Sequence, residues 1–259
     1  MRFFPWDAMR DDPPPESLAD ADAIVNLAGD PVAQRWTREA RRRIRESRVA
    51  GTRRLVQALA RLEKKPGLLV SGSAIGYYGS RADEELAEAS APGGDFLAEV
   101  CAAWEAEADR AEALGVRVVK VRIGLVLGKG GGALERMTPP FKLGVGGNLG
   151  SGRQWMSWIH MEDLVGLTRF VLEQPLLKGP VNATSPHPVR NAEFTKALAS
   201  ALHRPAFLPA PAFAIRALFG EMAEMLLASQ RVAPRAAQNA GYAFKYPELA
   251  GALQSLFPA

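Results

Sequence analysis

Four short apolar runs, "AIVNLA" at 23–28, "LLVSGS" at 68–73, "VRVVKVRIGLVL" at 116–127 and "PVNAT" at 180–184, constrain this chain most. Their apolar positions continue without the polar alternation of a half-exposed sheet, so helices must cover both faces. Helical periodicity fills the intervals: one or two helices over 37–63, another over 95–114 and a third over 162–174. Strands alternating with helices make βαβ units and a parallel sheet, the α/β class. Ligands of such sheets bind beyond the carboxyl ends of the strands. "NLAG", "SGSA" and "RIGLVLG" lie at those ends.

The texture changes after residue 127. "GKGGG" and "LGVGGNLGSGRQW" read as glycine-rich loops, and a helical tail begins at Asn191, placed as a helix N-cap. We therefore expect a main domain over 1–185 and a smaller C-terminal lobe over 186–259, with the loop region 128–160 belonging to that lobe. The 259 residues are 47% hydrophobic, enough to bury a core. No apolar stretch approaches the roughly 18 residues that cross a bilayer, and the opening "MRFFPWDAMRDDPPPE" lacks a signal-peptide core. Cys101 is the single cysteine, which suits a reducing cytoplasm. His160, His187 and His203 are scattered, so no metal site is expected.

The net charge of +4 is local in origin. "RWTREARRRIRESRVAGTRR" holds nine arginines between Arg35 and Arg54, yet Glu39 can pair with Arg43 at i,i+4, and Trp36 is its one aromatic. The run reads as a solvated helix face rather than a nucleic-acid surface. Other readings fail on spacing. "GLVLGKG" is one residue short of a phosphate loop, "GVGGNLGSG" does not match G-x-G-x-x-G, and no G-x-S-x-G elbow surrounds Ser71 or Ser73.

"DAIVNLAG", "SRVAGTRRLVQAL", "LVSGSAIGYYG", "DFLAEVCAAWEAEA", "VVKVRIGLVLGKGGGAL", "GSGRQWMSWIHMEDLV" and "GPVNATSP" occur in an order that resembles the extended short-chain dehydrogenase/reductases. The match is best with the atypical "epimerase family" branch of the NAD(P)-dependent epimerase/dehydratase type, which carries a C-terminal domain of unknown function. The resemblance implies a Rossmann-like, doubly wound sheet and an oxidoreductase or epimerase using NADP or NAD on a small polar, sugar-nucleotide-like substrate. The partners implied are a small-molecule substrate and at most a second copy in a homodimer, with neither nucleic acid nor membrane. It places the cofactor at Leu27, Ala28, Gly29, Ser71, Gly72, Arg122, Ile123 and Gly124. The residues themselves offer Arg48, which replaces the family's N-x-x-G-T asparagine, with Arg153, Trp155 and His160 for the substrate. The other reading is that His160 caps the helix begun by "MEDL" and Trp155 packs in the lobe interface.

Two departures modify this. Residues 1–28 contain no glycine, so the family's first strand and glycine-rich phosphate turn are expected to be missing by N-terminal truncation, with cofactor binding impaired. In active relatives a strand-end serine works with a Tyr-x-x-x-Lys pair on the next helix. Ser73 matches the serine, but Leu97 and Cys101 stand where tyrosine and lysine belong. That leaves Ser73, Tyr77 and Tyr78 as catalytic candidates. The alternative is a non-catalytic NAD(P)-binding sensor or partner-binding protein.

Overall fold

The computed structural model describes residues 2–258. Its first half contains β1 (Ala23–Asn26), α1 (Arg38–Arg61), β2 (Leu68–Ala74), α2 (Phe96–Asp109), β3 (Arg117–Ile123) and β4 (Leu125–Leu127). There follow α3 (Gly132–Lys142), β5 (Trp158–His160), α4 (Met161–Glu173), β6 (Gly179–Ala183), α5 (Asn191–Ala201), α6 (Ala212–Phe219) and α7 (Leu249–Leu256).

β1, β2, β3 and β6 form a parallel sheet in that order. The strand order follows the chain, with no reversal among the described residues. Leu69 and Val118 meet Leu55 and Leu59 of α1 on one face. On the other face Val70, Val119, Val121 and Val181 meet Leu167 and Val171 of α4. Helices thus cover both faces, as unalternated strands require. This is a Rossmann-like core with a smaller, mainly helical C-terminal lobe.

Local chemistry explains the helix starts. Thr37 caps α1 by accepting the Ala40 N–H at 3.1 Å, and Asp95 caps α2 by accepting from Ala98 at 2.9 Å. Ala40, Ile44, Ser47, Leu55 and Leu59 recur at helical spacing to form the buried stripe of α1. Val100, Trp104 and Ala108 do the same for α2.

Three details differ from the sequence expectation. The run 116–127 is two strands, because β4 leaves the main sheet at Gly124 and pairs with β5. A Cβ at Gly124 would lie 2.7 Å from the Ser157 carbonyl oxygen, so that crossing needs glycine. The region expected to be loops contains α3, which starts at Gly132, the last glycine of "GKGGG", and tolerates Pro139 and Pro140 near its end. Asn191 is the first helical residue rather than the cap. Arg190 holds the cap position with its N–H bonded to Glu193 at 2.7 Å, while the Asn191 side chain accepts the Leu149 N–H at 2.8 Å.

The lobe packs around Trp158, where Leu134 and Phe141 of α3 meet Phe194 and Leu198 of α5 and Leu249 and Leu253 of α7. β1 pairs only with β2 among the described residues. Val25 and Leu27 are exposed on the sheet face that α4 covers farther along, Leu27 by 62%.

Candidate functional site at the strand ends

Parallel register sets Ser73 of β2 beside Arg122 of β3, and Arg122 beside Asn182 of β6. One row of polar side chains therefore crosses three strands at their carboxyl ends. Glu105 of α2 closes over this row. Its carboxylate grips Arg122 through two bonds, Nε to Oε1 and Nη2 to Oε2, each 2.8 Å, and accepts the Ser73 hydroxyl at 2.6 Å. One helical turn later Asp109 meets Lys120, two residues earlier on β3, at 2.7 Å. The i,i+4 spacing of the helix thus matches the i,i+2 spacing of the strand.

The network continues beyond Arg122. Its Nη1 donates to the Tyr78 hydroxyl at 2.9 Å and to the Glu88 carbonyl at 3.0 Å. Tyr78 donates in turn to Asn182 Oδ1 at 2.7 Å, and Asn182 Nδ2 donates to the Ala233 carbonyl at 2.9 Å. Burial opposes the charge on Arg122, but the Glu105 carboxylate outweighs it and holds the guanidinium charged above its ordinary range. Burial also pushes the Tyr78 phenol up to about 12, despite the Arg122 charge beside it. Tyr78 therefore keeps its proton at neutral pH and is a poor general base.

Tyr77 is placed differently. It is half-buried, and its ring lies 3.5 Å from the Arg122 guanidinium carbon. No group among the described residues bonds its hydroxyl. Of the three catalytic candidates, Tyr77 has an uncommitted oxygen, whereas those of Ser73 and Tyr78 serve the network.

Leu97 and Cys101 lie under the same loop, with a Cβ at Gly76 reaching 3.3 Å from Leu97 Cβ and 4.0 Å from Cys101 Sγ. Burial, then the charge on Glu105, pushes the Cys101 thiol up to about 12. It is therefore an inert core group rather than a nucleophile.

Gly72 runs close beneath the Trp104 ring, where a Cβ would come within 3.0 Å. Ser71 and Gly72 are buried, Ile123 and Gly124 are half-buried, and Leu27 and Gly29 are exposed. The Arg48 guanidinium rests against Gly29 and over Trp104, 5.3 Å from the ring centre.

The other expected substrate residues lie toward the lobe. Arg153 is exposed and lines a depression of about 600 Å³ with Asp83, Ser151, Arg190 and Glu193. Trp155 borders this area, with the guanidinium carbons of Arg190 at 4.1 Å and Arg231 at 5.0 Å from its ring centre and its Nε1 bonded to Asp83 at 2.9 Å. His160 is buried. Its Nδ1 caps α4 by accepting the Glu162 N–H at 3.1 Å, and its Nε2 meets Ser255 Oγ at 3.2 Å. Both ring nitrogens are taken by these contacts within the chain.

The Glu105 clamp was missed by sequence reasoning. Its signal was present: Lys120 and Arg122 alternate with valines in a buried strand, which demands buried partners.

The sequence pattern of the NAD dependent epimerase/dehydratase family matches residues 12–183, and a domain of unknown function, DUF1731, matches residues 210–256. The chain belongs to the NAD dependent epimerase/dehydratase family. It is 46% identical over 236 residues to the chloroplastic epimerase family protein SDR39U1 homolog of Arabidopsis thaliana, covering 90% of this chain and 68% of that protein. With the epimerase family protein YfhF of Bacillus subtilis it shares 38% over 244 residues, 94% of this chain and 80% of that one. The crystal structure of human epimerase family protein SDR39U1 with NADPH superposes with a TM-score of 0.86 at 37% identity, covering 92% of this chain and 82% of that one. No helix among the described residues is long and apolar enough to cross a membrane.

Proposed function

We propose that this family member binds NADP or NAD at the carboxyl ends of β1, β2 and β3 and acts on a small polar substrate as an oxidoreductase or epimerase with an atypical site. The observation that carries this reading is the exposed apolar residue Leu27 followed by the small residues Ala28 and Gly29 where β1 ends. A flat ring needs an apolar wall and close backbone approach, and these residues supply both. The human relative with NADPH bound supports the same assignment. A bound nicotinamide supplies the hydride acceptor or donor.

The residues present fit the nicotinamide end of the cofactor. The phosphate-cradling glycine turn is not among residues 1–28.

Tyr77 is then the side chain that exchanges a proton with the substrate hydroxyl, and Ser73 and Tyr78 hold the loop that carries it. Arg48 lies at the near end of the substrate space, and Arg153 and Trp155 lie at the lobe end. The absent Tyr-x-x-x-Lys pair favours a second reading, a non-catalytic NAD(P)-binding sensor. The buried single cysteine suits a cytoplasmic setting.

Turnover of NADP(H) and NAD(H) with small carbonyl compounds and sugar nucleotides tests the choice. Tyr77-dependent turnover supports the enzyme. Cofactor binding without turnover on any substrate supports the sensor.

A further inference from the structure

The arginines of α1 divide by partner. Arg43 bonds Glu39 and Gln34, Arg42 bonds Glu46, and Arg53 bonds Glu107. Arg48 is different. Its Nη1 donates to two backbone carbonyls, Asp30 at 2.9 Å and Ile44 at 3.1 Å, and no carboxylate stands within ion-pair distance among the described residues. The nearby Asp30 carboxylate is taken by Gln34 at 2.6 Å and Arg43 at 3.7 Å.

The remaining donors of Arg48, Nε and Nη2, bond nothing among the described residues, and they are not among the sealed, unpartnered polar atoms. They therefore open to solvent. The guanidinium is fixed by its two carbonyls, backed by Trp104 and laid against Gly29, where a Cβ would fall 2.8 Å from Cζ and 2.9 Å from Nη2. Gly29 is exposed and its N–H bonds no backbone or side-chain group among the described residues. A half-buried cation without a directly bonded counter-charge is costly, and burial lowers its pKa from the ordinary arginine value although Cys101 and Asp30 act on it in the opposite direction. An anion between these donors would supply the missing charge with charge-assisted hydrogen bonds.

We propose that Arg48, together with the Gly29 N–H, is the receptor for an anionic group, a phosphate or a carboxylate, of a small molecule bound across the ends of β1 and β2. This rests on the strand-end site proposed above and narrows its ligand to an anion. The fork of a guanidinium suits either oxyanion.

The test is calorimetric titration of the whole chain with inorganic phosphate and with malonate, without cofactor, repeated with NADPH present. At least one anion should bind, and Arg48→Gln should weaken it by about tenfold or more, the worth of a hydrogen-bonded charge pair. Gly29→Ala should also weaken it by displacing the guanidinium, and Arg48→Lys should restore part of it. If the anionic group belongs to the cofactor, NADPH competes with the probe and Arg48→Gln weakens NADPH equally. If it belongs to the substrate, probe and NADPH bind together. Anion binding that depends on Arg48 in a chain that never binds NADPH would sustain this proposal while removing the cofactor assignment. Binding unchanged in folded Arg48→Gln and Gly29→Ala, or no anion binding by the unaltered chain, would overturn it.

Discussion

The Ser73 hydroxyl donates to Glu105 Oε1 at 2.6 Å, and the same oxygen accepts Arg122 Nε at 2.8 Å. The serine that a short-chain dehydrogenase would aim at its substrate is here bound to a buried ion pair. Ser73 and Arg122 are lateral neighbours on β2 and β3, so the carboxylate joins the two strands to α2.

Glu105→Ala should therefore act on stability before function. Removing one partner of a buried pair leaves Arg122 charged and unpaired, at a cost of about 3–5 kcal/mol. Chemical denaturation should show a loss of unfolding free energy of that order. Ser73→Ala removes one donor to the carboxylate but leaves the ion pair, and should cost less, about 1.5–3 kcal/mol. Equal losses for the two would contradict the clamp.

Tyr77 and Tyr78 should separate by assay. Tyr78→Phe removes the bonds to Arg122 and Asn182 and should destabilise by about 1–3 kcal/mol, since a buried acceptor loses its donor. Tyr77→Phe should leave the denaturation midpoint nearly unchanged and lower kcat in any turnover found, about 10²-fold or more for a lost acid–base group. The reverse pattern would exchange their roles.

Cys101 should resist thiol reagents. With its thiol pushed up to about 12 by burial and the charge on Glu105, the thiolate is scarce at neutral pH. A chromogenic disulfide reagent should react slowly with the native chain and fully in denaturant. Rapid native labelling would show that the α2 face opens.

His160 should make stability depend on pH. Burial lowers its folded pKa below the unfolded value of about 6.5. Its contribution is then fully present above pH of about 6.5 and declines as pH falls toward the folded value, because the unfolded chain takes up the proton first. His160→Asn keeps a helix-capping oxygen without the titration. The stability difference, native minus variant, should rise between acid and neutral pH. A flat difference would mean that His160 does not titrate on unfolding.

The parallel core was legible because buried strands announce themselves as short runs rich in apolar residues with helices between. What escaped was set by contacts distant in sequence. Leu125 follows Ile123 with little change in hydropathy, yet its N–H turns to Ser157 at 2.9 Å, and sequence gives no sign of that change of partner. Asn191 is a favoured capping residue by type, but its side chain is drawn to the Leu149 N–H, a contact that joins residues 42 apart. At the site, helix and strand periodicities could show that Glu105 and Arg122 each needed a partner. They could not show that each was the other's.

The strand-end cofactor site is tested most directly by fluorescence titration of NADPH into the chain and its Leu27→Asp variant. Leu27 is 62% exposed, so the change should leave the thermal transition in place while setting a carboxylate against an anionic cofactor. The account predicts saturable NADPH binding, weakened about tenfold or more in the variant by like-charge repulsion near a desolvated site. Undetectable binding by the unaltered chain, or binding indifferent to Leu27→Asp, would contradict it.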